Sequence, residues 1–240
     1  MIRKALEYIV GLSEAKEFEI GGRVFTDKSL YEIETPRVSG FNTTTLSSMV
    51  EYISKNPDLL IVSPLIISIE SPTRVVLKTR NKEPENFRDT LIIAEANLPN
   101  IAFGRYMDVE SFIIQMQSKF SLNEDAAILM RVVGNIKEEQ VKQTSDDGFS
   151  QAVTARTGIA RVEDVLVPNP VKLMPFRTFI EIEQPESMFV FRMQSGPTMA
   201  LFEADGGAWR NVAISNIKSY FDEHEDLKTF FSEGKLVVLA

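Results

Sequence analysis

The chain reads as an α+β protein built mostly from antiparallel sheet, with amphipathic helices packed on it, and three observations predict this. Apolar residues recur at the helical period in four well-separated stretches. Runs rich in branched side chains, bounded by Ser-Pro, Pro or Gly-Gly, fill much of the sequence between them. Hairpin signals at Gly21-Gly22 and at Gln194-Ser195-Gly196-Pro197 join neighbouring runs, which favours antiparallel pairing.

Each element follows from local pattern. Ile2, Leu6, Ile9, Val10 and Ser13 share a stripe, which predicts a helix over 2–16. Phe18 to Ile20 and Arg23 to Phe25 flank Gly21-Gly22 as a hairpin, because tight turns require the positive φ that glycine supplies. Asn42 is placed to cap a second helix carrying Leu46, Met49, Val50 and Ile53, which Pro57 ends. The pattern then turns to strands over 59–69, 74–80 and 90–94. Asp108 caps a helix marked by Val109, Phe112, Ile113, Met116 and Phe120. The short apolar run 126–133 fits helix or buried strand equally. Alternation of Ile180 and Ile182 with Glu181 and Glu183 predicts a strand over 176–183, followed by strands at 188–193 and 198–203. Asp205-Gly206-Gly207 introduces a helix bearing Trp209, Val212, Ala213, Ile217, Tyr220 and Phe221, and a strand at 235–239 follows.

Residues 136–157 contain almost no large apolar side chain and read as two polar strands around Ser145-Asp146-Asp147-Gly148, a protruding hairpin. Such a ribbon is marginal alone in water, so it lies on the sheet, projects as an arm, or is ordered by a partner subunit. The expected organisation is one body or two subdomains, an N-terminal region 1–100 and a C-terminal region 101–240, with the boundary near 97–107.

Composition removes several classes of function. The 240 residues are 44% hydrophobic and 25% charged, an ordinary globular balance. There is no cysteine and one histidine, His224, so disulfides, thiolate metal sites and multi-histidine metal sites are excluded. No cofactor is expected. A net charge of −8 argues against coating nucleic acid, whose affinity comes from displacing counterions with basic groups. The first residues do not read as a signal peptide and no run is long enough for a membrane helix, so a cytoplasmic protein without a membrane partner is expected.

Three constellations could carry function. Arg74, Lys78 and Arg80 share one parity of a strand, about 6.8 Å apart per two residues, and Arg88 extends them, which suits the phosphates of a nucleic acid. The competing explanation is a solvated or edge-protecting face. Glu203 and Asp205 end a strand and could share a divalent cation in a metal-dependent hydrolase. More simply, Asp205 caps the helix behind it. Arg177, Arg192 and Trp209 lie among Phe176, Phe179, Phe189 and Phe191, where a guanidinium stacks on rings or pairs with Glu181 or Glu203, and Trp209 anchors the last helix. His224 sits in an acidic run near a helix end, where a solvated imidazolium is favoured.

The segment Val165 to Met193, with Pro168, Pro170, Pro175-Phe176-Arg177-Thr178-Phe179, Gln184-Pro185 and Phe191-Arg192, and the segment Ala200 to Ile214, with its run Phe202 to Trp209, resemble the C-terminal half of the YfdQ-like phage and prophage proteins. The resemblance covers about a third of the chain. It implies a phage origin and a bacterial host cell, and it carries over no activity and no catalytic residue. The expectation is therefore a phage-encoded, non-enzymatic accessory protein acting by protein–protein contact with itself or with a phage or host protein, as a homo-oligomer and in one version as part of a shell. Nucleic-acid binding and metal-dependent hydrolysis stand as the alternatives.

Overall fold

The computed structural model describes residues 2–11, 15–29, 38–58, 64–81, 87–134, 144–146, 151–157, 161–167, 169–194 and 196–240, and the fold is α+β with mostly antiparallel sheets. The chain divides into two compact units, Met1–Arg37 and Val38–Ala240.

The first unit holds helix α1 (Ile2–Gly11) and the hairpin of β1 (Glu17–Ile20) with β2 (Arg23–Thr26). Gly21 and Gly22 both take positive φ (61° and 75°), as the two central residues of a primed turn must. The Asp27 backbone N–H donates to the Lys16 carbonyl (3.1 Å), and Asp27 Oδ1 accepts from the Lys16 N–H (2.8 Å), which closes the other end. Phe18 pairs with Phe25 and Ile20 with Arg23, so Phe18, Ile20 and Phe25 share one face of the ribbon.

The second unit runs β3 (Phe41–Thr43), α2 (Ser47–Lys55), β4 (Leu65–Ser71), β5 (Arg74–Thr79), β6 (Thr90–Glu95), β7 (Met107–Asp108), α3 (Val109–Lys119), β8 (Phe120–Ser121) and α4 (Glu124–Gly134). It continues through β9 (Thr144–Asp146), β10 (Gln151–Thr157), β11 (Arg161–Val167), β12 (Val171–Pro175), β13 (Ser187–Gln194), β14 (Thr198–Glu203), α5 (Trp209–Glu223), a 3₁₀ turn, α6 (Lys228–Ser232) and β15 (Leu236–Leu239). Two five-stranded sheets result. One has the order β15-β4-β5-β6-β3, with parallel pairs at both edges and antiparallel pairs inside. The other, β7-β14-β13-β12-β8, is antiparallel throughout.

Each sheet has its own core. Met49, Ile53, Leu65, Ile67, Leu77 and Ile92 are buried with Ile217 and Phe221 of α5, so α5 covers the first sheet although it follows the second in sequence. Phe112 and Met116 of α3 and Leu129 and Val133 of α4 are buried against Leu173, Phe189, Phe191 and Leu201 of the second sheet. Ser187, Phe189, Phe191 and Met193 alternate inward along β13, the period-2 signature of a half-buried strand.

Three expectations are revised and one open reading is settled. Asn42 does not cap α2: it lies in β3, and the helix begins five residues later. The α2 N-terminus is instead served from the far side of the sequence, where Glu181 Oε1 accepts from the N–H groups of Leu46 (2.8 Å) and Ser47 (3.4 Å). Residues 176–183 form no strand. The buried Gln184 side chain accepts from the Arg177 N–H (2.9 Å) and donates to the Phe179 carbonyl (2.9 Å), giving that loop the hydrogen bonds a ladder would otherwise supply. The run 126–133 is helix, with Asn123 Oδ1 accepting from the Ala126 N–H (2.9 Å). The polar segment gains a third strand: β9 pairs with β10, and β10 pairs along its length with β11. Ser145 and Asp146 of the expected turn lie in β9 instead, while Asp147 and Gly148, with 136–143 of the expected hairpin and 59–63 of the expected strand, lie outside the described residues.

Candidate functional site

The basic face of β5 is built on a central strand flanked by β4 and β6, so edge protection does not explain it. Alternation puts Arg74 and Lys78 on the half-exposed side while Val75, Leu77 and Thr79 are buried. Carboxylates meet both cations. Glu70 Oε2 lies 3.0 Å from Arg74 Nε, Glu70 Oε1 lies 2.8 Å from Lys78 Nζ, and Glu95, opposite Arg74 in register, accepts from its Nη1. Hydrogen bonds from Lys78 and Arg74 hold the Glu70 carboxyl below the usual carboxylate range. Arg80 and Arg88 lie beyond the strand and are exposed. The face the sequence suggested for phosphates is therefore a row of ion pairs.

The second site gathers around Trp209 at the start of α5. Arg177 is 7% exposed and donates through Nη1 to Glu203 Oε1 (2.7 Å) and through Nη2 to Ser187 Oγ. Its guanidinium carbon stands 4.2 Å from the Trp209 ring centroid and 5.5 Å from that of Phe189, within cation–π range. The Arg210 guanidinium carbon lies 5.1 Å from the same indole. Burial pulls the Arg177 guanidinium below its ordinary pKa, and the charges of Glu203 and Asp205 oppose that shift.

Glu203 and Asp205 are engaged separately. Glu203 serves Arg177, while Asp205 Oδ1 accepts from the Gly207 N–H (3.0 Å) and Oδ2 from the Trp209 N–H (3.3 Å). Asp205 thus satisfies the turn that leads into α5, as the capping explanation requires. No group of three or more His, Asp or Glu side chains able to hold a metal occurs among the described residues. Arg192, on β13, alternates away from Phe189 and Phe191 and is half-buried. His224 follows α5 directly, with Nδ1 3.9 Å from Asp226 Oδ2.

Beside Trp209 lies a cavity of about 230 Å³, lined by Met188, Ala208, Trp209 and Val212 together with Lys172, Glu186, Ser187 and Asp205. Lys172 and Met188 are register partners on β12 and β13, which brings the lysine to the cavity. Trp209 Nε1 and Arg177 Nε are buried and find no acceptor among the described residues. Sequence reasoning missed this hollow, because it forms where a strand pair meets a helix start and no local pattern encodes the gap.

The third feature is the surface of the N-terminal unit. No residue of α1 is buried, and every residue of β1 and β2 is exposed. Ile2 is 80% exposed, Leu6 57%, Ile9 61%, Val10 61%, Phe18 47%, Ile20 68% and Phe25 48%. The periodicity that predicted α1 was sound, but it implied a face packed inward on this chain. Arg3 and Glu7 form an ion pair (3.1 Å) on the helix's polar flank. No family model, no curated protein and no solved structure matches the chain.

Proposed function

We propose that the chain is a phage-encoded, non-enzymatic accessory protein that works by protein–protein contact, its first contact being with a second copy of itself through the N-terminal unit. The exposed apolar surface of that unit carries the reading. Taking about 200 Å² for a fully exposed side chain of this size, the seven residues from Ile2 to Phe25 named above expose roughly 850 Å² together. A standard interface takes about 800 Å² from each partner, the same order as this total.

Local physics supports the same conclusion. A helix of 10 residues and a two-stranded hairpin are each marginal in water without a surface to cover them. A second copy supplies an identical surface, and two-fold pairing is the commonest way such faces close. An antiparallel pairing of two α1 helices also sets Arg3 and Lys4 of one copy toward Glu7 of the other, a favourable exchange of charge. The engaged states of Glu70, Glu203 and Asp205 favour contact over phosphate binding or metal chemistry. The phage origin rests on the resemblance of the 165–193 and 200–214 segments to the YfdQ-like proteins.

Light scattering of the full chain and of a Leu6→Glu/Ile9→Glu variant tests this, with flotation on vesicles containing anionic phospholipid as a second arm. The expected result is a dimer or larger assembly that the double substitution returns to monomer. A full chain that is monomeric at about 100 μM, where even weak specific contacts form, overturns the reading. So does an assembly untouched by the substitutions. A monomer that floats with the vesicles assigns the face to lipid instead.

A further inference from the structure

We propose that the hollow at the carboxyl ends of β3 and β6 is a binding site for a neutral polyhydroxylated ligand, a single sugar ring. The two strands run parallel at one edge of the first sheet, with Asn42 opposite Ile93 and Thr43 opposite Ala94. Beyond their ends the two chains part. The first enters α2, whose Met49, Val50 and Ile53 are buried in the first core. The second leads to Ile101 and Phe103, which pack against the second core. Ligand crevices in sheets form outside the carboxyl ends of parallel strands, where neighbouring chains leave in different directions. Here the parting leaves a hollow of about 320 Å³, lined by Asn42, Thr43, Thr44, Glu95, Ala96 and Asn97. That volume is at the lower end of the range for small-molecule sites, about 300–1,000 Å³, and admits one ring.

The lining names the occupant. Asn42, Thr44 and Asn97 are exposed, and their side chains make no hydrogen bond among the described residues. An amide carries both donors and an acceptor, and a hydroxyl is both at once, so these groups match ligand hydroxyls. Glu95 adds an acceptor. Arg74, its register partner, bonds Oε1 and holds the carboxylate, leaving Oε2 without a partner among the described residues. Glu95 is the one charged side chain on the described lining and Arg74 balances it, so the site favours a neutral ligand over an ion of either sign. An apolar occupant would strip water from four polar side chains and return no hydrogen bond. The walls are set in advance. Thr43 Oγ1 donates to Ser48 Oγ (2.9 Å) and accepts from the Thr45 N–H (3.4 Å), and the Ala96 N–H donates to the Thr73 carbonyl (2.9 Å). Such walls spare the cost of ordering them on binding. The described lining offers no aromatic ring to stack on, so affinity rests on hydrogen bonds and falls at Kd values of about 1–30 mM. The site lies within Val38–Ala240 and does not depend on self-association.

Titration of the full chain with glucose, mannose and galactose, each followed by ¹H–¹⁵N NMR, tests this. Cyclohexanol is the control, since it keeps the ring but offers one hydroxyl, and a site built on hydrogen bonds discriminates against it. The expected result is a saturable shift of the side-chain amides of Asn42 and Asn97 and of the backbone amides of Thr43, Thr44 and Ala96 with at least one sugar, and none with cyclohexanol. Asn42→Ala/Asn97→Ala, at two exposed positions, should raise the Kd at least tenfold with an unchanged melting temperature, and Thr44→Val should raise it about threefold. Absence of a saturable shift with all three sugars overturns the proposal. So does an equal response to cyclohexanol, or a sugar response that both variants retain in full. Because the readout is local to β3 and β6, it stands or falls whether the chain is a monomer or an assembly.

Discussion

Replacing Arg177 by methionine isolates what its guanidinium does, because methionine keeps the volume and the flexible stem but removes the charge and the donors. Four interactions disappear: the ion-paired hydrogen bond to Glu203, the bond to Ser187 Oγ, the stack on Trp209 and the longer contact with the Phe189 ring. A hydrogen bond to a charged group contributes about 1.5–3 kcal/mol, and a desolvated cation–π contact about 2 kcal/mol. Ser187 is buried and loses its donor, which adds about 1 kcal/mol. Against this, the arginine no longer has to be stripped of water, a cost of several kcal/mol for a buried ion. Glu203 remains 43% exposed and is not stranded. The balance is a loss of about 2–4 kcal/mol, or roughly 4–15 °C in melting temperature for a chain of this size. Thermal and urea melts followed by circular dichroism measure it. Arg177→Lys should recover less than half, since a lysine keeps the charge but neither the fork nor the flat stacking face. An Arg177→Met protein as stable as wild type would refute the anchoring role of this cluster.

Other outcomes follow from the same geometry. Asp205→Ala should cost about 0.5–2 kcal/mol, and Asp205→Asn less, because asparagine keeps one acceptor for Gly207 and loses the longer bond to Trp209; melts of the three proteins give the order, and added magnesium should leave it unchanged. Tyr52 donates to Asp58 Oδ2 (2.8 Å), and burial together with that carboxylate pushes its phenol up to about 12. The neutral phenol is the form the fold favours, so its contribution is complete below the ordinary tyrosine pKa near 10 and is lost as pH rises through about 12. Burial and the charge of Glu181 raise the Tyr220 phenol as well, so ultraviolet titration should show two late phenolate steps, and Tyr52→Phe should remove one of them. Glu70 has the opposite sign. Its carboxyl is held low by Lys78 and Arg74, so its stabilisation is present above its ordinary value and is lost as pH falls through the lowered one. Glu70→Gln should flatten that acid limb in a series of melting temperatures taken between neutral pH and pH 3.

What the sequence made legible was whatever is encoded within a few residues. Asp108 accepts from the Ser111 N–H (2.9 Å) and so starts α3 where the pattern placed it. The β13–β14 hairpin follows from alternation on either side of Gly196. Long-range partners stayed hidden. The group serving the α2 N-terminus comes from Glu181, 135 residues beyond Leu46. The alternation of 176–183 misled because the period-2 signal says nothing about the buried Gln184 amide, which claims that backbone. The cations of β5 were visible, but their neutralisation by Glu95 required the register of β6. The apolar stripe of α1 was equally visible, whereas the surface it meets is not written in the stripe.

That surface is the central claim, and amide hydrogen exchange over a series of protein concentrations tests it most directly. Elements held only by a second copy open freely in the monomer and gain protection by mass action as the assembly fills. The account predicts that amides of Ile2–Gly11 and of the 17–26 hairpin pass from unprotected to protected between about 1 and 100 μM, while those of β4, β5 and β13 do not change. Protection of α1 that is the same at every concentration, or absent at all of them, would contradict it.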